Sequence, residues 1–151
     1  MNVHFICRGN VLRSLIAETY LRSLQLPGVM VESSGTNVDL LDPIEREYFA
    51  NTISLLKRHN IDKYAKNTSH QLTQKRIEGH DVIVCMNQRV VEESKQIVLL
   101  PKDVIDWNIV DIGEGHRTVA KDIRLYEEEI FGEITLRVDL LAKRISIARS
   151  S

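Results

Sequence analysis

Cysteine and proline are scarce in this chain, with two of the first and three of the second in 151 residues. Two cysteines, Cys7 and Cys85, make no disulfide framework, and a reducing cytoplasm is the expected setting. Charge of one sign is lacking as well. A formal net charge of −1 leaves no basic surplus for nucleic acid or for a polybasic hold on a membrane, so neither partner is expected. No apolar run approaches the ~18 residues of a membrane span, and the N-terminus has no signal-peptide core. The five histidines are scattered, without a Cys/His cluster at metal-ligand spacing. Repeats, low-complexity tracts and linkers are missing too, which makes residues 1–151 one domain. What is present, 43% hydrophobic and 27% charged residues, suits a globular protein with a sizeable core.

Strand-like and helix-like segments alternate along this domain. Val3 to Ile6 reads as a strand and Arg13 to Leu24 as a helix that stops before Pro27-Gly28. Val29 to Val31 predicts a short strand, and Ser33-Ser34-Gly35-Thr36 a turn after it. Asp42-Pro43 supplies a cap and a first-turn proline for a helix with Ile44, Tyr48, Thr52, Leu55 and Leu56 on its apolar face. Leu72 to Ile77 reads as a short helix, and Asp81 to Met86 as an unbroken apolar strand of the buried parallel kind. Asn87 caps a further helix to about Ser94, and Asp103 to Ile105 is a fourth strand. A polar loop, Asp106 to His116, precedes a long amphipathic helix with Ile130, Ile134, Val138, Leu141 and Ile145 in register, where Gly132 is a candidate break. The expected fold is therefore α/β: a short, about four-stranded parallel sheet with helices on both faces. Ligands of such sheets bind at the carboxyl ends of the strands, where Cys7 and the Asp106–His116 loop both fall.

The segment Cys7-Arg8-Gly9-Asn10-Val11-Leu12-Arg13-Ser14 joins the first strand to the first helix. Such a turn sets a thiol among backbone N–H groups at a helix N-terminus, with Arg13 able to fork across two oxygens of a bound tetrahedral anion. The same field favours Cys7 as a thiolate, the nucleophilic form. Gly9 and Asn10 are residue types that tolerate positive φ. Read without its context, the octapeptide is equally well a buried structural cysteine beside a solvated arginine.

Taken together with the rest of the chain, these residues resemble the low-molecular-weight protein tyrosine phosphatase family. Its Cys-x5-Arg-Ser signature, with Gly-Asn inside, is Cys7 to Ser14 here. Ile16-Ala17-Glu18, Glu32 to Thr36, Ser69 to Thr73, Asp81 to Met86 and Trp107 to Asp111 resemble further stretches of the family in the same order. The resemblance implies a phosphate loop of Arg8, Gly9, Asn10, Val11, Leu12, Arg13 and Ser14, and catalysis by Cys7, Arg13 and an aspartic acid. It implies a phosphocysteine intermediate, a hydroxyl from Ser14 to the Cys7 sulfur, and no metal or other cofactor. Asp111 is the favoured acid, and Asp106 the alternative, because Ile112 stands where the family carries proline. Val11 and Trp107 are the expected pocket walls, with a phosphotyrosine-bearing protein or small aryl phosphate as substrate.

Three other functions compete with this one. A protein-arginine phosphatase shares the loop, but such enzymes typically carry threonine where this chain has Val11. An arsenate reductase of the same fold needs two further cysteines, and only Cys85 is present, in a buried strand. A non-catalytic phosphate-binding module is the third. Leu12 occupies the position of a second loop cysteine in many family members, so no disulfide can form inside the loop. The sequence leaves the oligomeric state open.

Overall fold

The computed structural model describes residues 1–109 and 123–150. Four parallel strands, β1 (Asn2–Cys7), β2 (Met30–Gly35), β3 (Val82–Cys85) and β4 (Ile105–Asp106), lie in the order β2-β1-β3-β4. Between and after them run α1 (Arg13–Ser23), α2 (Pro43–Arg58), α3 (Gln74–Ile77), α4 (Gln88–Lys95) and α5 (Ile123–Ser150). The alternation of side chains along each strand splits the core into two layers. Val3, Phe5, Cys7, Val84 and Met86 face α1, α2 and α5 through Ile16, Leu21, Leu55, Ile130, Ile134 and Val138. On the other face Ile6, Ile83 and Cys85 meet Ile77, Val90 and Val91 of α3 and α4.

Local signals set most of these boundaries. Asp42 and Glu45 form a reciprocal capping box at the start of α2, with Pro43 in its first turn. Asn87 Oδ1 accepts from Val90 N–H at 3.0 Å and starts α4. α5 runs unbroken through Gly132, because Ile130, Phe131, Ile134 and Val138 are buried on both sides of it and outweigh its propensity cost of ~1 kcal/mol.

β2 corrects the sequence reading. The turn expected at Ser33–Thr36 is strand as far as Gly35, paired with β1 in the register Phe5↔Ser33, Ile6↔Ser34 and Cys7↔Gly35. Turn-forming residues stay extended here because tertiary partners take their hydroxyls, Ser33 bonding Asn10 and Ser34 bonding His4. Gly35 is required for another reason. A Cβ there would lie 2.5 Å from the Arg8 carbonyl and 2.9 Å from the Asn10 nitrogen, so the loop after β1 passes directly over this strand. Among the described residues, no helix is long and apolar enough to cross a membrane.

Candidate active site

β1 delivers Cys7 to the carboxyl end of the sheet, and the chain turns over Gly35 before entering α1 at Arg13. No side chain caps α1, so the orphan N–H groups of its first turn are left for the loop and whatever it binds. The Cys7 sulfur lies 2.9 Å from Ser14 Oγ and receives the Asn10 backbone N–H at 3.1 Å. Both contacts suit a sulfur that carries negative charge.

Asn10 has φ of +55°, the left-handed conformation its residue type tolerates. Its side chain is fully used. Nδ2 donates to Ser14 Oγ at 2.7 Å and to Ser33 Oγ at 2.8 Å, while Oδ1 accepts from His70 N–H at 2.9 Å and from the Lys66 ammonium. Ser69 Oγ donates to the Asn10 carbonyl at 2.8 Å. Lys66 also donates to the Ser33 carbonyl at 2.8 Å and faces Glu18 at 3.7 Å, and burial pushes its pKa down to about 8. His70 titrates below the ordinary histidine value, first through burial and then through the charge of Lys66.

Arg8 turns outward, its Nε donating to both Glu93 oxygens at 3.0 and 3.1 Å, and Glu93 also accepts from Thr36 and Asn37. Arg8 thus ties the loop to α4. Arg13 is 1% exposed, lines the cleft, and donates from Nη1 to the Ile109 carbonyl at 3.0 Å. Its guanidinium is thereby fixed from the segment that leads to Asp111, which itself lies outside the described residues.

Above the loop is an open cleft of about 480 Å³. Cys7, Arg8, Gly9, Val11, Leu12 and Arg13 form its floor. Leu40, Leu41, Ile44 and Tyr48 form an apolar wall, with Asn37 and Glu45 at its polar margin. Of the two residues expected as pocket walls, Val11 lines the cleft and Trp107 does not. Trp107 is buried against Phe5, 5.4 Å between ring centroids, because it follows β4 on the sheet face covered by α5. The expected aromatic wall is Tyr48 instead. The apolar face of α2 divides, with Thr52, Leu55 and Leu56 buried while Ile44 is 75% exposed and meets the cleft. A helix stripe whose first half finds no core was the available signal for this wall.

Asp106 is exposed at the end of β4, and its Oδ1 accepts the Asn108 N–H at 2.8 Å, bracing a turn in which Asn108 has φ of +53°. Cys85 is buried on the other face of the sheet, and burial, helped by the Asp106 charge, pushes its pKa up to about 12. Lys66 had no signal in the sequence, since a lone lysine 56 residues from Asn10 carries no spacing clue.

A family model described as low molecular weight phosphotyrosine protein phosphatase matches residues 2–106. Among solved structures, the chain is similar to the YwlE arginine phosphatase from Geobacillus stearothermophilus: 24% identity, coverage of 98% of this chain and 94% of that one, TM-score 0.67. It is similar to a low molecular weight protein tyrosine phosphatase from Bacillus subtilis at 21% identity, with 99% of each chain covered and a TM-score of 0.69. At these identities the two likenesses speak to the fold. A Corynebacterium glutamicum thioredoxin-dependent arsenate reductase is 26% identical over 97% of this chain and 62% of its own, with a TM-score of 0.65. No curated protein matches the chain by sequence.

Proposed function

The chain belongs to the low molecular weight phosphotyrosine protein phosphatase family of cysteine-based phosphatases, and from that premise we propose that it hydrolyses phosphotyrosine and other aryl phosphate monoesters. The observation that carries this reading is the Cys7 sulfur held by the Ser14 hydroxyl and the Asn10 N–H beneath a cleft with an apolar wall. The Cys7 thiolate attacks phosphorus as the P–O bond to the phenol breaks, giving phosphocysteine and a leaving oxygen protonated by Asp111. Asp111, now a carboxylate, takes a proton from water as that water attacks phosphorus. The S–P bond then breaks, inorganic phosphate leaves, and the thiolate returns. Arg13 and the loop N–H groups from Arg8 to Ser14 other than that of Asn10, which serves the sulfur, neutralise the equatorial oxygens. Ser14 holds the sulfur's charge both before attack and when it departs.

Val11, Leu41 and Tyr48 offer a phenyl ring apolar surface, and a branched apolar side chain at position 11 suits a ring better than a guanidinium. The Cys85 thiol lies on the far face and is held protonated, which disfavours the disulfide relay of a reductase. A reducing cytoplasm is the compartment in which a Cys7 thiolate stays active. Turnover of a phosphotyrosine peptide and of phosphoarginine, by the parent and by Cys7→Ser, tests the proposal. The expected result is faster turnover of the phosphotyrosine peptide, and its loss in Cys7→Ser. Preference for phosphoarginine would overturn the substrate, and no turnover of either would overturn the enzyme.

A further inference from the structure

We propose that His4, Glu32 and His80 form a binding site for a divalent transition metal ion, zinc being the best match, on the sheet face opposite Cys7. The three are far apart in sequence and meet through the parallel register. His4 lies in the middle of β1, pairs with Glu32 of β2, and has Ile83 of β3 on its other side, while His80 comes from the turn that precedes β3. One ligand atom from each lies within 4.8 Å of the other two.

His4 is 0% exposed, and its two ring nitrogens have different surroundings. Nε2 is 2.7 Å from Ser34 Oγ, whereas Nδ1 has no hydrogen-bond partner and lies 4.0 Å from Glu32 Oε2. A buried imidazole fixed through one nitrogen, with the other aimed unpartnered at a carboxylate and a second imidazole, is the arrangement of a metal ligand and its orienting partner. His80 Nε2 is already 3.2 Å from Glu32 Oε2. Ligand atoms on one tetrahedral zinc stand about 3.2–3.5 Å apart, so the set must close by up to about 1.5 Å. His80, on the turn before β3, must rotate to narrow the gap between the imidazoles, and Glu32 can follow because its side chain is 55% exposed. The same exposure leaves a fourth position open to water. Two imidazoles and one carboxylate suit zinc and its neighbours over calcium or magnesium.

The test is zinc binding by the full chain carrying Cys7→Ser, which removes the competing thiolate, measured by competition with a chromophoric chelator. The expected result is one zinc per chain, with affinity falling at least about tenfold in added Glu32→Gln or His80→Gln, and by a similar factor in Ser34→Ala. Glu32 is exposed, so its variant keeps the fold, and circular dichroism checks the others. Histidine ring resonances of His4 and His80 should move with zinc. No binding, binding within twofold in both ligand variants, or movement of His59, His70 or His116 instead would overturn the site.

Discussion

Cys7 and Cys85 sit on neighbouring parallel strands, β3 ending where Ile6 pairs with Cys85, and both are almost wholly buried. Their surroundings nevertheless differ in kind. Cys7 has two hydrogen-bond contacts at sulfur, one from a backbone N–H, and opens onto the cleft, while Cys85 points into the aliphatic layer under α4, its pKa raised by burial against the lowering effect of the Ser94 hydroxyl. One residue of strand register separates the two faces. Burial therefore does not set the two thiols apart; what differs is the backbone N–H aimed at the Cys7 sulfur and the cleft above it.

The sharpest way to break this comparison is to remove each sulfur in turn. Cys7→Ser should lower kcat on an aryl phosphate by on the order of 10⁴-fold or more. Cys85→Ala should leave kcat within about twofold and cost ~1 kcal/mol in denaturant unfolding for its small cavity. A Cys85→Ala enzyme as inactive as Cys7→Ser would mean that both thiols take part.

The next largest effect belongs to the acid. Asp111→Asn should slow phosphotyrosine turnover by on the order of 10²–10⁴ and activated aryl phosphates much less, since a good leaving group needs no proton. Asp106→Asn should do little, because that carboxylate braces the Asn108 turn and directs its charge toward Cys85. Measuring kcat for both variants on both substrates decides it. A leaving-group-dependent loss in Asp106→Asn alone would reverse the assignment.

Asn10 tests what organises the Cys7 side. Asn10→Gly keeps the left-handed backbone and loses the bonds to Ser14, Ser33, His70 and Lys66, a cost of about 2–4 kcal/mol by denaturant unfolding. Asn10→Ala should cost about 1 kcal/mol more, for the strain of a Cβ at φ of +55°. Equal costs would show that the backbone relaxes.

The smallest effect is a slope. Lys66 titrates near 8 when folded, against an ordinary lysine value of 10.5. Between these values the unfolded chain holds a proton that the folded one has released, so this residue makes stability rise with pH from about 8 to 10.5. Below pH 8 both states are protonated and the cost of burying the ammonium is fully present. Lys66→Met should flatten the difference in unfolding midpoint across that window, and an unchanged slope would assign it elsewhere.

Much of the frame was legible in the residues. The cap at Asp42, the apolar run at Val82–Cys85 and the heptad-like stripe of α5 are local signals that the tertiary structure does not contradict. Cys7 to Ser14 was legible as a loop because strand, turn and helix signals meet there. What escaped depended on distant partners. The hydroxyls of Ser33 and Ser34 are turn signals until Asn10 and His4 take them, and Tyr48 and Trp107 exchange places because one aromatic on a helix and one after a strand look alike without the core. Scattered histidines conceal a cluster that only strand register assembles.

The loop's dependence on Asn10 also has a meaning for how the chain folds. Its bonds reach residues 23, 56 and 60 positions away, on β2 and on the segment before α3. An excised octapeptide would have the sequence without the shape, since closing such separations costs chain entropy that only the finished sheet repays. In refolding, helical signal should return before phosphate affinity, and nascent chains ending before residue 70 would emerge from synthesis with Cys7 present and the loop around it still unbuilt.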